Sequence, residues 1–112
     1  MIKLSLFLLI ITTILISGCT LQTPSSTTNQ TNTIMIKNFA FNPSTLTVKV
    51  GTTVTWTNED STPHQLISDS GNEISSQSLS NGQTYSHAFN TAGTFDYHCS
   101  IHPTMKGKII VE

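Results

Sequence analysis

"GTFDYHCSIHPTMKGKIIVE" runs from Gly93 to Glu112 and closes the chain. Its opening residues alternate, with Phe95, Tyr97 and Cys99 on one side, and it ends in the short apolar run "GKIIVE". Side chains two apart share one face of an extended strand, so both ends of the stretch read as strands joined by a loop. Cys99 ends the first strand, where its side chain can point off the sheet. Cys99, His102 and Met105 then follow in steps of three, and Pro103 stiffens the path between them. A chain with two cysteines and three methionines thus places a thiol, an imidazole and a thioether in one tight turn.

The same alternation recurs upstream. "TIMIKNFAF" leads to a turn at Asn42-Pro43, and "TLTVKV" puts Leu46, Val48 and Val50 on one face before Gly51 breaks the run. "TTVTWTN" repeats the pattern with Val54 and Trp56, and "QTYSHAF" aligns Tyr85, His87 and Phe89. No window of helical length carries a clean 3.6 period. Short strands at this spacing predict an all-β fold, a small antiparallel Greek-key β-sandwich or barrel, over residues 34–112. The polar stretch Ser68 to Gln83 reads as a hairpin region without chemistry, its turns at Ser70-Gly71-Asn72 and Asn81-Gly82.

The N-terminal part of the 112 residues has a different character. After Met1-Ile2-Lys3 comes "LSLFLLIITTILI", an apolar run of 13 residues from Leu4 to Ile16. A membrane-spanning helix needs roughly 20 residues, so this run fits the apolar core of a secretory signal peptide instead. "ISGC", Ile16 to Cys19, resembles the lipobox of prokaryotic lipoproteins, which implies cleavage after residue 18 and a lipid on Cys19. Residues 19–33 are almost all small or polar and read as a flexible tether with a reach on the order of 45–50 Å. The expected protein is therefore exported and held at the outer face of the cytoplasmic membrane through lipidated Cys19. With Cys19 so used, Cys99 is a lone thiol in an oxidising compartment, an oxidation liability unless a metal occupies it.

Charge excludes more than it suggests. The net charge is −1, there is no arginine, and the lysines are scattered. The basic footprint of nucleic-acid binding is missing.

Two imidazoles and a thiolate in a trigonal set, with a long axial methionine, define a blue-copper centre. Cys99, His102 and Met105 supply three of those donors, and the second imidazole must come from elsewhere. His98 neighbours Cys99 on its strand and so faces the other way, as a structural or surface histidine. His87 lies in phase with Tyr85 and Phe89 and reads as a half-buried core residue. His64, after the polar loop "NEDSTP" and at the head of a new strand, is placed where a ligand at a sandwich end belongs.

"FDYHCSIHPTMKGKIIVE" resembles the C-terminal motif of the cupredoxins, the type 1 blue copper family, and is most similar to its amicyanin-like and plastocyanin-like members. "FNPSTLTVKVGTTVTWTNEDSTPHQL" resembles the family's approach to its first histidine ligand. The resemblance covers Ile34 to Glu112 and implies one type 1 copper ion bound by His64, Cys99, His102 and Met105. Three positions depart from the pattern. Gln65 stands where the family usually has asparagine, and Ile101 and Thr104 stand where amicyanin has proline and a bulky residue.

The expected function is single-electron transfer between redox proteins that dock near His102, by a monomer that is not an enzyme. The alternative is a copper-delivery or copper-buffering lipoprotein using the same donors. A copper oxidase or reductase needs an open metal position that His87 and His98 do not obviously supply. Zinc is disfavoured because structural zinc prefers cysteine-rich sets.

Overall fold

The computed structural model describes Gly18 and residues 32–112. The expected signal segment (apart from Gly18), Cys19 and the expected tether up to residue 31 lie outside the described residues. Eight strands follow in chain order: β1 (Thr33–Lys37), β2 (Ala40–Asn42), β3 (Thr45–Val48), β4 (Thr52–Asn58), β5 (Leu66–Ser68), β6 (Thr84–Phe89), β7 (Gly93–Cys99) and β8 (Lys106–Val111). There is no helix among the described residues. One sheet has the order β2-β1-β4-β6 and the other β3-β8-β7-β5, giving an all-β sandwich.

The period-two pattern fills the space between the sheets. β1 buries Ile34 and Ile36, and β4 buries Val54 and Trp56, each alternating with more exposed residues. From the facing sheet come Leu46, Val48, Leu66, Tyr97, Ile109 and Val111. Trp56 and Tyr97 meet across the core, where the indole Nε1–H donates to the phenolic oxygen at 3.0 Å. Burial holds the Tyr97 phenol well above its usual pKa, and the Trp56 bond offsets this only in part.

Three expectations need correction. The sheets are mixed rather than antiparallel, since β1 pairs parallel with β4 and β3 parallel with β8. Parallel neighbours need a crossover, and for β1 and β4 the chain supplies it by passing to the other sheet between β2 and β3 and returning between β3 and β4. Val50 is not part of the buried face. β3 stops at Val48, and Val50 is 49% exposed, its N–H donating to the Glu112 carbonyl before the turn at Gly51. Finally, "TIMIKNFAF" is not one run, because Lys37 pairs with Ala40 across a two-residue turn at Asn38-Phe39.

The segment from 69 to 83 also differs from its sequence reading. It forms no named strand, yet it buries Ile74, Ser76 and Leu79. Ser68 N–H donates to the Ile74 carbonyl and Ser76 N–H to the Leu66 carbonyl, so the segment pairs loosely along β5. Two lone apolar residues in a polar run are too sparse to register as a period. His87 to Glu73 at 2.8 Å and His98 to Asp69 at 2.6 Å fasten this stretch to β6 and β7.

Gly107 is buried, and a Cβ built on it would overlap the Tyr97 ring. The flanking sheet leaves that ring nowhere to go, because its hydroxyl is held by Trp56. Gly107→Ala is expected to cost about 3 kcal/mol, the upper range for overpacking a core. A midpoint in thermal circular dichroism unchanged from the parent would contradict this packing.

Candidate metal centre

His64 enters the core from the loop after β4 and is held there by its backbone. Its N–H donates to the Leu79 carbonyl at 3.0 Å, and Leu79 N–H donates back at 2.7 Å. The 74–79 segment, silent in the sequence, is therefore what positions this histidine. Cys99 is the last residue of β7, and the loop beyond it closes on itself. Cys99 N–H donates to the Met105 carbonyl at 3.0 Å, and Met105 N–H to the His102 carbonyl at 2.9 Å.

The result is a convergence at one pole of the sandwich. Cys99 Sγ lies 3.7 Å from His64 Nδ1 and 3.7 Å from His102 Nδ1. One donor atom from each of the three residues lies within 4.8 Å of the others. His64 and Cys99 are fully buried, and His102 is half-buried. Met105, the remaining residue of the sequence-derived set, ends the same loop and is 4% exposed. His87 and His98 take no part, being engaged with Glu73 and Asp69.

The spacing suits a metal ion. With sulfur at ~2.3 Å and nitrogen at ~2.0–2.1 Å from an ion, and ~120° between them, sulfur and nitrogen stand ~3.8 Å apart. Both sulfur-to-nitrogen edges here match that value. The His64 ring is also prepared. His64 Nε2 lies 2.9 Å from Asp60 Oδ2. A carboxylate only accepts, so this contact selects the neutral tautomer with the proton on Nε2, in which Nδ1 is the acceptor facing the sulfur.

Asp60 serves more than the imidazole. Its two oxygens accept the backbone N–H groups of Asn38 at 2.7 Å and Phe39 at 3.0 Å. Burial acts to raise its pKa, but the bonds from Phe39, His64 and Asn38 outweigh it and hold the carboxyl below its ordinary value. Phe39 lies edge-on to both rings, 5.4 Å from His64 and 5.1 Å from His102 between centroids. Asp60 and Phe39 were not singled out in the sequence. A carboxylate four residues before a candidate ligand was a usable signal for the first; for the second, the usable signal was the change of apolar parity between Ile36 and Phe39, where the Asn38-Phe39 turn falls.

Gln65 braces the two ligand-bearing stretches. Its carbonyl accepts from Ser100 N–H at 2.8 Å, its Oε1 from the Ser100 hydroxyl at 3.2 Å, and its Nε2 donates to the Ser76 carbonyl at 3.0 Å. The glutamine thus reaches from the residue after His64 to the residue after Cys99.

A sandwich with a buried thiol and two inward-aimed imidazoles at one end is, as a class, a metal-binding β-sandwich with a donor set suited to copper. The chain belongs to the cupredoxin-like family: the model of the cupredoxin-like domain matches residues 6–111. Cupredoxins hold one copper ion, and His64, Cys99 and His102 form a matching group in this chain. The chain is 40% identical over 83 residues to amicyanin-alpha of Methylorubrum extorquens, covering 70% of each protein. It is 44% identical over 71 residues to amicyanin of Paracoccus denitrificans, covering 60% of this chain but only 54% of that relative. A solved structure of an oxidised amicyanin variant superposes with a TM-score of 0.68 at 39% identity, covering 71% of this chain and 80% of the other.

Gln65→Ala removes two side-chain hydrogen bonds while leaving the backbone bond to Ser100. Unfolding free energy is expected to fall by about 1–2 kcal/mol, read from the urea midpoint. A variant as stable as the parent would show that the brace contributes nothing.

Proposed function

We propose that this domain carries single electrons between redox proteins on one copper ion held by His64, Cys99, His102 and Met105. The observation that carries the reading is Cys99 Sγ set 3.7 Å from one ring nitrogen of each of two imidazoles at one pole of the sandwich. Cys99 would provide the thiolate bond, His64 and His102 the equatorial nitrogens, and Met105 a weak axial thioether. Soft sulfur ligands favour Cu(I) and imidazoles accept Cu(II), so copper in this set supplies reversible one-electron chemistry. The protein's part is to keep the donors still: His64 is pinned by Leu79, and the Cys99–Met105 loop by its own backbone bonds.

Of the four proposed ligands only His102 has appreciable exposed surface. Phe39 and Ile101 beside it are 51% and 48% exposed. A small apolar surface around one exposed imidazole edge suits the brief, low-area encounters of electron-transfer proteins. It does not suit a substrate reaching the metal, which favours a carrier over an oxidase or reductase.

We further infer that the domain is a monomer tethered to the outer face of the cytoplasmic membrane through lipidated Cys19. β1 ends in the Asn38-Phe39 turn over the ligands, so its first residue, Thr33, is about 13 Å back along the strand at ~3.3 Å per residue. A tether joined there leaves beside Thr55, midway along β4 and on the side away from the ligands, which would let the His102 pole face away from the lipid.

Cu(II) added to the purified protein is expected to give an intense thiolate-to-copper absorption and a narrow parallel hyperfine splitting in EPR, both lost in Cys99→Ser. A colourless adduct with an ordinary EPR spectrum would refute the assignment. Rapid loss of Cu(I) to a chelator, with slow self-exchange, would instead favour copper delivery. Cys19→Ser should move the protein from the membrane fraction to the soluble fraction; unchanged partitioning would refute the anchor.

A further inference from the structure

The turn over the ligands is unusual in its chemistry. Asn38 and Phe39 both have positive φ, 52° and 56°. Two-residue turns of this hand ordinarily rely on asparagine followed by glycine, because a side chain in the second position is crowded. Here the second residue is a phenylalanine, 51% exposed, with its ring against both imidazoles. What holds it is Asp60, whose carboxylate accepts both backbone N–H groups of the turn and also contacts His64 Nε2. The side chain of Asp60 is 12% exposed, so its charge is only partly screened. Its backbone is fixed in turn by fully buried Asn58, whose Oδ1 accepts from Asp60 N–H at 2.9 Å, and by Asn81, which donates to the Asp60 carbonyl at 3.1 Å.

We propose that Asp60 is a positioning residue that locks His64 in its metal-binding tautomer, clamps Phe39 across both imidazoles, and by its charge holds the site toward the oxidised ion. The part concerning the potential rests on the copper-carrier reading; the tautomer and the clamp do not. A negative charge one imidazole away from the ion favours the higher positive charge, so removing it shifts the couple toward Cu(I).

Asp60→Asn keeps the size of the side chain, removes the charge, and sets an amide donor where the carboxylate accepts. In the full-length protein in detergent, loaded with copper and poised at a fixed potential, the ratio of Cu(I) to Cu(II) is expected to rise about tenfold, which corresponds to ~59 mV for one electron. Asp60→Glu, which restores the charge, should recover most of the shift, a rescue that a purely structural role would not produce. Phe39→Ala leaves the turn's N–H donors in place and should shift the ratio less than threefold.

The metal-free protein gives an independent readout by NMR. The parent should show His64 protonated at Nε2 alone, and slowed amide exchange at Asn38 and Phe39. Asp60→Asn should mix the tautomers and speed that exchange at least tenfold. A blue protein in which Asp60→Asn changes none of these would overturn the proposal and leave the carrier intact. A protein that never turns blue, yet shows the expected tautomer and amide changes, would overturn the carrier and leave the positioning role standing. If Asp60→Asn does not fold, the parent decides the matter: His64 protonated at Nδ1, or unprotected amides at Asn38 and Phe39, would end the proposal.

Discussion

The buried thiol of Cys99 is the constraint from which the rest of this pole follows. Burying polar groups is costly unless each finds a partner, and Cys99 brings a sulfur into a fully enclosed space with two imidazole nitrogens aimed at it. A sulfur 3.7 Å from each nitrogen gains little from those contacts alone, because thiols are weak hydrogen-bond partners. A cation at the centre gives all three donors a strong common partner. Its demand for fixed donors accounts for the double backbone bond between His64 and Leu79, the self-closed loop from Cys99 to Met105, and the reach of Gln65 between the two stretches.

The Asn38-Phe39 turn shows local preference yielding to that demand. Left-handed backbone costs roughly 1–2 kcal/mol for each residue with a side chain. Hydrogen bonds to a charged group contribute about 1.5–3 kcal/mol each, and Asp60 makes one to each residue of the turn. The two terms are of similar size, so the conformation persists because the carboxylate is there. Strain of this kind collects at functional sites.

The strands were legible because burial on one face imposes a period of two, and Ile34, Ile36, Val54 and Trp56 display it in full. The grouping of His64, Cys99 and His102 was legible because thiols and imidazoles are few in this chain and two of the three fall three residues apart. The parallel pairings were not legible, since β1 against β4 and β3 against β8 depend on where the chain changes sheets, and alternation carries no information about direction. Nor was the turn at Asn38-Phe39. The apolar positions change parity between Ile36 and Phe39, a break that marks an irregularity without specifying a two-residue turn, and only the distant carboxylate of Asp60 makes a bend there favourable. Leu79 was hidden for a related reason: one apolar residue in a polar segment has no period, although its bonds to His64 fix a ligand.

Charge balance connects these parts. With Asp60 ionised and Cys99 bound as thiolate, the donor set and its carboxylate carry two negative charges. A divalent ion neutralises them, whereas a monovalent ion leaves one net negative charge in a region where His64 and Cys99 are fully buried. Such a charge is better tolerated where water can approach, and His102, half-buried and edged by Phe39, is the ligand that water reaches. The exposed imidazole edge that would admit a partner is thus also the place where the reduced site is most readily solvated. An apolar surface laid over it would remove that solvation and so would disfavour the reduced form of a bound copper ion.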